Sequence, residues 1–368
     1  MLPYVLLLLI PAILPLLVYR PREIISDHGA RDLSQKRNKI TLLLFFFIFF
    51  VLLALRDFTV GTDLLTYKSI FEHCHVISFD NLSKMQWEIG YTVYNKIVSM
   101  LSLNYRLFLI LSALIMLIPI YRLYSKEKNY AYLAVLLFIN MPCFLMIFSG
   151  LRQALAISIG IVAYIALEKR KYILSGILIL LAVSFHISAF ILVLIYPAFF
   201  FKIKTKNLIF IAPVIIAVYI WRVPLILFVI QLMPTHYIEF YGEIQQTGAV
   251  GMMILFLIFS AFSFIVLDED TMSKRDYFMR NILLIATVFQ FFVPIHGLVQ
   301  RASYYFIIFV PVSILSVVQA PKKYLKNISA VAVWVMGCFF TLYFFYNASF
   351  STDNLLNVFP YKFYWSGQ

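Results

Sequence analysis

The chain has 368 residues, of which 63% are hydrophobic and 13% are charged, and its formal net charge is +13 at pH 7. A soluble globule of this length cannot bury so large an apolar fraction, so the composition excludes an ordinary soluble fold and predicts an integral membrane protein. A basic excess also arises when cytoplasmic loops are rich in lysine and arginine, and by itself it does not indicate a nucleic acid partner.

Apolar runs long enough to cross about 30 Å of hydrocarbon as helices follow one another along the chain. The run at 172–201 has basic residues at both ends, which predicts a hairpin that turns at Phe185-His186. The first run is not preceded by basic residues and is predicted to be a retained helix. The other runs are 2–19, 40–55, 107–121, 130–148, 151–167, 207–221, 251–267, 281–297, 302–319 and 328–346.

These runs predict an all-α integral membrane protein with about twelve transmembrane helices and both termini outside. Residues 1–368 are expected to form a single polytopic membrane domain. Its main exposed parts are external loops at 56–106 and 222–250 and an external tail at 347–368.

The basic residues fall mainly on one predicted side of the membrane, which the positive-inside rule makes cytoplasmic. The net charge therefore reflects topology, and no nucleic acid partner is expected. Six inside loops hold 21 of the 30 Lys and Arg residues: 20–39, 122–129, 168–171, 202–206, 268–280 and 320–326.

Two arginines are predicted at the outer ends of helices. Arg152 falls in the first turn of a helix, where free amides and the helix dipole favour an anion. Arg301 repeats the pattern, with Tyr304 and Tyr305 one turn further on. Each arginine could instead extend to lipid headgroups. Two guanidinium groups at two helix N-termini would suit a diphosphate, because each offers parallel N–H donors.

Two carboxylates follow the second apolar run. Asp57 comes directly after Arg56, and Asp63 precedes Tyr67 by one helical turn. Gly61 predicts a turn that keeps both carboxylates near the membrane surface. An Asx-type turn with an Arg56–Asp57 ion pair is the simpler interpretation of the same residues.

Glu88 and His186 are further candidates for acid–base chemistry. Glu88 stands at a predicted helix start, where ordinary capping is the alternative explanation. His186 lies at the predicted outer tip of the hairpin, where an imidazole can donate to a phosphate or accept a hydroxyl proton. A polar hinge residue is the alternative there.

The sequence contains no GxGxxG, P-loop, HExxH or GxSxG motif. Their absence argues against a nucleotide-driven pump and against a serine or zinc hydrolase. The three cysteines are unclustered and lack metal-ligand spacing, so neither a disulfide framework nor a zinc site is predicted. We expect no cofactor and no metal.

In their order along the chain, these motifs resemble the EpsG-like, Wzy-type family of bacterial polysaccharide polymerases, over about residues 40 to 365. The resemblance rests on Arg56-Asp57 with Val60-Gly61-Thr62-Asp63 and Tyr67, on Glu88-x-Gly90-Tyr91, on Phe148-Ser149-x-x-Arg152-Gln153-x-x-Ala156, on Phe185-His186-x-Ser188-Ala189 and on Arg301-x-x-Tyr304-Tyr305.

That family implies a fold similar to the lipid-dependent GT-C glycosyltransferases. It also implies transfer of a growing glycan from one undecaprenyl-diphosphate carrier onto a lipid-linked repeat unit. The reaction would take place at the outer face of the bacterial cytoplasmic membrane and would build a capsule, exopolysaccharide or O-antigen. The implied partners are the lipid-linked donor and acceptor oligosaccharides and the bilayer, with a flippase and a chain-length regulator in the same pathway.

Such a reaction needs cations beside the leaving diphosphate and a base beside the acceptor hydroxyl. The predicted diphosphate ligands are Arg152 and Arg301, with Arg56 as a third candidate. The predicted base is Asp63 or Glu88, ahead of Asp57 and His186. Further substrate-binding candidates are Gln153, Tyr67, Tyr304 and Tyr305, although the tyrosines also fit an interfacial aromatic belt.

Two other functions compete with polymerisation. A flippase for the same lipid-linked glycan would also need many helices, but it would be expected to place ionisable residues near the membrane midplane. Here the predicted span centres have none, and the charged groups concentrate at one edge. An O-antigen ligase or a glycan acyltransferase would share an outer arginine-rich site and differ in its acceptor.

Overall fold

The computed structural model describes residues 2–18, 27–127, 130–231, 250–319, 326–350 and 355–366. Across these ranges every regular element is a helix, and the one extended pairing is an isolated bridge between Arg56 and Phe363. The all-α prediction is confirmed for this part of the chain. The residues form two compact units, Met1–Phe190 with Val333–Gln368, and Ile191–Ala332.

The first unit contains most of the motifs. A 3-10 helix at Phe79–Lys84 lies between its third and fourth α-helices, and another begins at Ile187. The α-helices are α1 (Leu2–Val18), α2 (Asp27–Ala54), α3 (Leu64–Val76), α4 (Ile89–Leu101), α5 (Tyr105–Tyr124), α6 (Ala131–Ile139), α7 (Pro142–Ser149), α8 (Leu151–Glu168) and α9 (Tyr172–Phe185).

Aromatic side chains from α1, α2 and α7 form the centre of the first unit. The ring of Phe49 lies 5.0 Å from that of Phe144 and 5.5 Å from that of Phe148, and Tyr4 contacts Phe148 at 6.3 Å. All four side chains are buried. Within a bilayer such packing depends on van der Waals contact. It fixes the end of α7 and therefore the turn that leads into α8.

Helix α8 packs through a face of small residues. Ala156, Gly160 and Ala163 are buried, as is Gln153, which is 4% exposed. The Ser158 hydroxyl donates to a backbone carbonyl of α5 at 2.9 Å. Close approach through small residues is typical of helix contacts in membranes.

The second unit is also helical. Between two of its helices, Glu269 pairs with the buried Arg280 at 2.9 Å and accepts the Thr205 N–H at 2.8 Å. The α-helices are α10 (Ile195–Phe200), α11 (Leu208–Ile220), α12 (Arg222–Gln231), α13 (Val250–Val266), α14 (Lys274–Gln290), α15 (Gly297–Ile307) and α16 (Val310–Gln319), and α17 (Lys326–Phe350) continues into the first unit.

Three helical segments are long and apolar enough to cross a membrane: Leu33–Ala54, Tyr105–Tyr124 and Leu151–Glu168. Counting three sharply bent helix pairs as spans raises the number to six in the described residues, and several shorter apolar helices accompany them. A membrane protein is thus supported, while the twelve crossings, the external termini and the single domain stay predictions. The predicted break at Phe185-His186 is confirmed, because α9 ends at Phe185 and His186 has extended backbone.

Candidate active site

Arg152 is the second residue of α8, so the prediction that it lies in the first turn of a helix is confirmed. Its guanidinium carbon lies 4.3 Å from the Trp87 ring centre and 6.0 Å from those of Tyr67 and Tyr91. Aromatic faces attract a cation and limit its contact with water. The side chain is nevertheless 18% exposed. The guanidinium is therefore held at the helix N-terminus with part of its surface open.

Glu88 stands at the N-cap of α4 and forms an ion pair with Arg152. Arg152 Nη1 donates to Glu88 Oε2, and both side chains are largely buried. The predicted helix start at Glu88 is confirmed, although its side chain makes no hydrogen bond that caps the helix. Its carboxylate instead joins the start of α4 to the start of α8.

His186 and Ile187 contact the other carboxylate oxygen of Glu88. The Ile187 N–H donates to Glu88 Oε1 at 3.2 Å, and His186 Nδ1 lies 3.6 Å from the same oxygen. The latter distance is too long for a hydrogen bond, although a protonated imidazole would be attracted. The start of α4, the start of α8 and residues 186–187 thus meet at the Glu88 carboxylate.

Gly90 allows this convergence. A Cβ at this position would lie 2.2 Å from Ser184 Oγ and 2.8 Å from the Ser184 carbonyl oxygen. The start of α4 therefore lies directly against the end of α9. A larger residue would separate Glu88 from His186.

The segment before α3 approaches the same region through Gly61. Its φ of +109° is one that side chains disfavour, and a Cβ there would lie 2.4 Å from the Phe148 carbonyl oxygen. The next residue, Thr62, has its hydroxyl 2.5 Å from that of Ser149. Since Ser149 precedes Arg152 by three positions, the segment borders the residues leading into α8.

The two carboxylates of this segment differ in their surroundings. Asp57 accepts hydrogen bonds from the Thr59 N–H at 3.0 Å and hydroxyl at 2.7 Å, so the Asx-type turn is confirmed. Asp63 is exposed, and the one hydrogen bond that its carboxylate accepts in the described structure is from the Thr62 hydroxyl at 3.2 Å. The Asp63 carbonyl accepts the Tyr67 N–H at 3.0 Å in the first turn of α3. Asp63 is therefore the more accessible carboxylate.

Arg56 is completely buried, with its guanidinium carbon 5.6 Å from the Phe148 ring centre. Its Nε and Nη1 make no hydrogen bond to any residue that the structure describes, and the ion pair with Asp57 is not formed. Burial lowers the pKa of Arg56 to about 10, so the group stays cationic at neutral pH. A ligand at the surface cannot contact this side chain as it stands. Its role as a diphosphate ligand stays a prediction.

The C-terminal segment 355–366 holds the loop around Arg56 in place. Backbone N–H groups of Asp57, Gly61 and Thr62 donate to carbonyls of this segment at 2.9 to 3.2 Å. The Arg106 guanidinium adds hydrogen bonds to the carbonyls of Ala54 and Arg56 at 2.8 and 2.7 Å. The predicted outer tail is thus part of the loop's structure.

Arg301, Tyr304 and Tyr305 belong to the second unit. Helix α15 begins at Gly297 because the side chain of His296 caps it, accepting the Leu298 N–H at 3.1 Å. Arg301 therefore lies more than one turn inside the helix, and its prediction as a first-turn residue is wrong. Its side chain is exposed, whereas both tyrosines are buried.

Sequence reasoning missed the role of Trp87, which stacks on Arg152. Its position next to Glu88 was the available signal, since a tryptophan beside an acidic residue can stack on the arginine that pairs with that residue. Among the described residues, no group of three or more His, Cys, Asp or Glu side chains is placed to hold a metal ion.

Comparison with known proteins identifies one family. Residues 39–363 match the model of the EpsG family. No match was found among curated proteins or among solved structures. The matched range contains Asp63, Glu88, Arg152 and His186 of the first unit, and Arg301 of the second unit as well.

Proposed function

Because the chain belongs to the EpsG family, we propose that it polymerises a cell-surface polysaccharide at the outer face of the bacterial cytoplasmic membrane. Family membership indicates a polysaccharide-polymerase-like function, and the apolar helices indicate a membrane protein. The donor and acceptor are proposed to be oligosaccharides carried on undecaprenyl diphosphate. The product would be a capsule, an exopolysaccharide or an O-antigen.

In the proposed reaction, the acceptor hydroxyl oxygen attacks the anomeric carbon of the donor glycan. The bond from that carbon to the diphosphate oxygen breaks, and undecaprenyl diphosphate leaves with the electron pair. The hydroxyl proton passes to a protein base. Negative charge grows on the leaving oxygen, so a preorganised cation there lowers the barrier.

The Arg152–Glu88 pair is the observation that supports this proposal most strongly. A guanidinium offers five N–H donors in a fixed planar arrangement. Glu88 engages Nη1, Tyr67 makes a further side-chain hydrogen bond with the group, and Nε is buried without a partner among the described residues. A phosphate oxygen could bind the part of the guanidinium that is open to solvent together with amides at the start of α8. Arg152 is therefore the proposed diphosphate ligand, and Glu88 positions it.

Asp63 is the proposed base. It is exposed and forms no ion pair with the described residues, whereas the Glu88 carboxylate is already occupied. The Thr62–Ser149 contact brings its segment beside the approach to Arg152. His186 is the second candidate, because its Nδ1 lies 3.6 Å from the Glu88 carboxylate, whose charge would stabilise the imidazolium formed on proton transfer.

The remaining predicted ligands have more limited roles in the proposal. Tyr67 contacts the Arg152 guanidinium, and the buried Gln153 supports the first turn of α8. Arg301 is a candidate anion ligand of the second unit because its side chain is exposed. A flippase that delivers repeat units and a chain-length regulator are proposed as pathway partners.

A reconstituted reaction tests the function. Purified protein in liposomes is supplied with one lipid-linked repeat unit, without nucleotide and with a metal chelator, and the products are separated by size. A ladder of products differing by one repeat supports polymerisation. Translocation of the repeat unit without a ladder would identify a flippase and refute the proposal. Protein-free liposomes provide the background.

A further inference from the structure

An open cleft of about 570 Å³ lies beside the Trp87 side chain in the first unit. Its volume is within the range of about 300–1,000 Å³ that is common for small-molecule sites. The end of α3 and the 3-10 helix Phe79–Lys84 form its walls. Its polar lining is His73, Asn81, Lys84 and Gln86, and its apolar lining is Ile77, Met85 and Trp87.

The walls of this cleft are anchored to the unit. Leu82 is 1% exposed, and the Met85 N–H donates to its carbonyl at 3.2 Å. The buried Cys74 donates to Met85 Sδ at 3.8 Å. The cleft is thus built from an ordered segment with its own buried contacts.

Hydrogen bonds within the cleft hold some of its polar side chains and leave several donors and acceptors for a ligand. Lys84 Nζ donates to Asn81 Oδ1 at 2.8 Å, and Asn81 Nδ2 donates to Ser78 Oγ at 3.0 Å. This leaves two of the three ammonium N–H groups for a ligand. The side chains of His73 and Gln86 make no hydrogen bond to residues that the structure describes. None of the described residues that line the cleft carries a carboxylate, so the charge of this lining favours an anion.

Trp87 connects this cleft to the candidate active site. Its side chain lines the cleft and also stacks on the Arg152 guanidinium at 4.3 Å, and Glu88 is the next residue. An aromatic surface with several hydrogen-bonding groups around it suits a sugar ring, which has apolar C–H faces and a polar edge.

We propose that this cleft is a saccharide subsite for a sugar that carries an anionic group, either a carboxylate or a phosphate. The inference rests on the proposed function and extends it to the substrate class. The sugar ring lies against Trp87, its anionic group binds the Lys84 ammonium, and hydroxyl groups reach Gln86 and His73. When a glycan binds there, the glycosidic bond to its neighbouring sugar lies beside the Arg152–Glu88 pair.

Binding of soluble disaccharides tests this subsite without any turnover. Three probes of the same linkage are titrated into detergent-solubilised protein by calorimetry: one with a glucuronic acid, one with a phosphate and one neutral. We expect at least one anionic probe to bind about fivefold or more tighter than the neutral one, because its charge gains a hydrogen-bonded cation. The two anionic probes distinguish carboxylate from phosphate.

Lys84→Met should abolish this preference, and Gln86→Ala should weaken all three probes. Lys68→Met is the matched control, because Lys68 pairs with Glu72 at 3.7 Å outside the cleft and its loss should leave binding unchanged. Gel filtration checks that each variant remains folded. Equal binding of charged and neutral probes, or a charge preference that survives in Lys84→Met, would overturn the inference. A product ladder without this preference would refute the subsite alone, and selective binding without a ladder would refute the polymerase alone.

Discussion

The Arg152 guanidinium and the Glu88 carboxylate form an ion pair that joins the N-terminus of α8 to that of α4 across 64 positions of sequence. The pair is largely shielded from water by Trp87, Tyr67 and Tyr91. His186 and the Ile187 amide contact the same carboxylate. Glu88 therefore lies between the Arg152 guanidinium and the His186 imidazole.

Neutralising either member of the pair should destabilise the protein. Glu88→Gln and Arg152→Gln each leave a partly buried charge without its partner, at a cost of about 1.5–3 kcal/mol. The double variant should lose less than the sum of the two, because neither charge is then left alone. Thermal unfolding in detergent measures this coupling. Strictly additive losses would mean that the ion pair contributes nothing to stability.

Asp63→Asn should separate proton transfer from donor binding. We expect kcat to fall by about 100-fold or more, because general-base catalysis is lost, while KM for the lipid-linked donor changes little. Glu88→Gln should instead raise the donor KM, because Arg152 is released from its position. Initial rates of ladder formation over a range of donor concentrations measure both. Full activity of Asp63→Asn would show that Asp63 is not the general base. His186→Gln would then test the second candidate.

Gly61→Ala and Gly90→Ala should lower activity through geometry alone. The first substitution forces a Cβ to within 2.4 Å of a backbone carbonyl and strains a positive φ, at a cost of about 1–3 kcal/mol. The second forces α4 away from α9 and separates Glu88 from His186. The control is Gly337→Ala in α17, where an added Cβ meets nothing within 4 Å. Wild-type turnover in both test variants would show that these close approaches are dispensable.

Asp57 should contribute to stability in a pH-dependent way. Desolvation raises the pKa of this carboxyl, but the Thr59 hydrogen bonds and the Lys362 charge outweigh it, so the net shift is downward. A lowered folded-state pKa adds stability above the unfolded value of about 3.9, and this is lost as pH falls through the folded pKa. The difference in melting temperature between wild type and Asp57→Asn should be largest near pH 7 and shrink below about pH 4. Asp80→Asn, at an exposed position, is the control, and a pH-independent difference would contradict the prediction.

The sequence predicted the features that depend on local pattern. Hydrophobic composition indicated a helical membrane protein, the break at Phe185-His186 followed from flanking charges, and Arg152 was expected in the first turn of a helix. These properties are encoded within about 20 residues of chain, where periodicity and capping are informative.

Features that depend on tertiary contacts were not predictable in this way. The ion pair between Glu88 and Arg152 could not be predicted, because opposite charges far apart in the sequence do not show which residues pair. Arg56 looked accessible beside Asp57, yet the C-terminal segment pairs with its loop through backbone hydrogen bonds that no side-chain pattern reveals. Arg301 was misplaced within its helix because His296 starts α15 earlier than the apolar run suggested.

We propose that the Arg152 guanidinium binds the donor diphosphate, and Arg152→Lys separates this role from the effect of positive charge alone. Lysine keeps the charge but loses the planar set of donors. Arg222→Lys is the matched control, because Arg222 also stacks on an aromatic ring, that of Tyr219 at 4.0 Å, and forms no ion pair in the described structure. Ladder formation from a lipid-linked repeat unit should fall about 100-fold in kcat/KM for Arg152→Lys and change little for Arg222→Lys. Wild-type rates and product lengths in Arg152→Lys would contradict the claim.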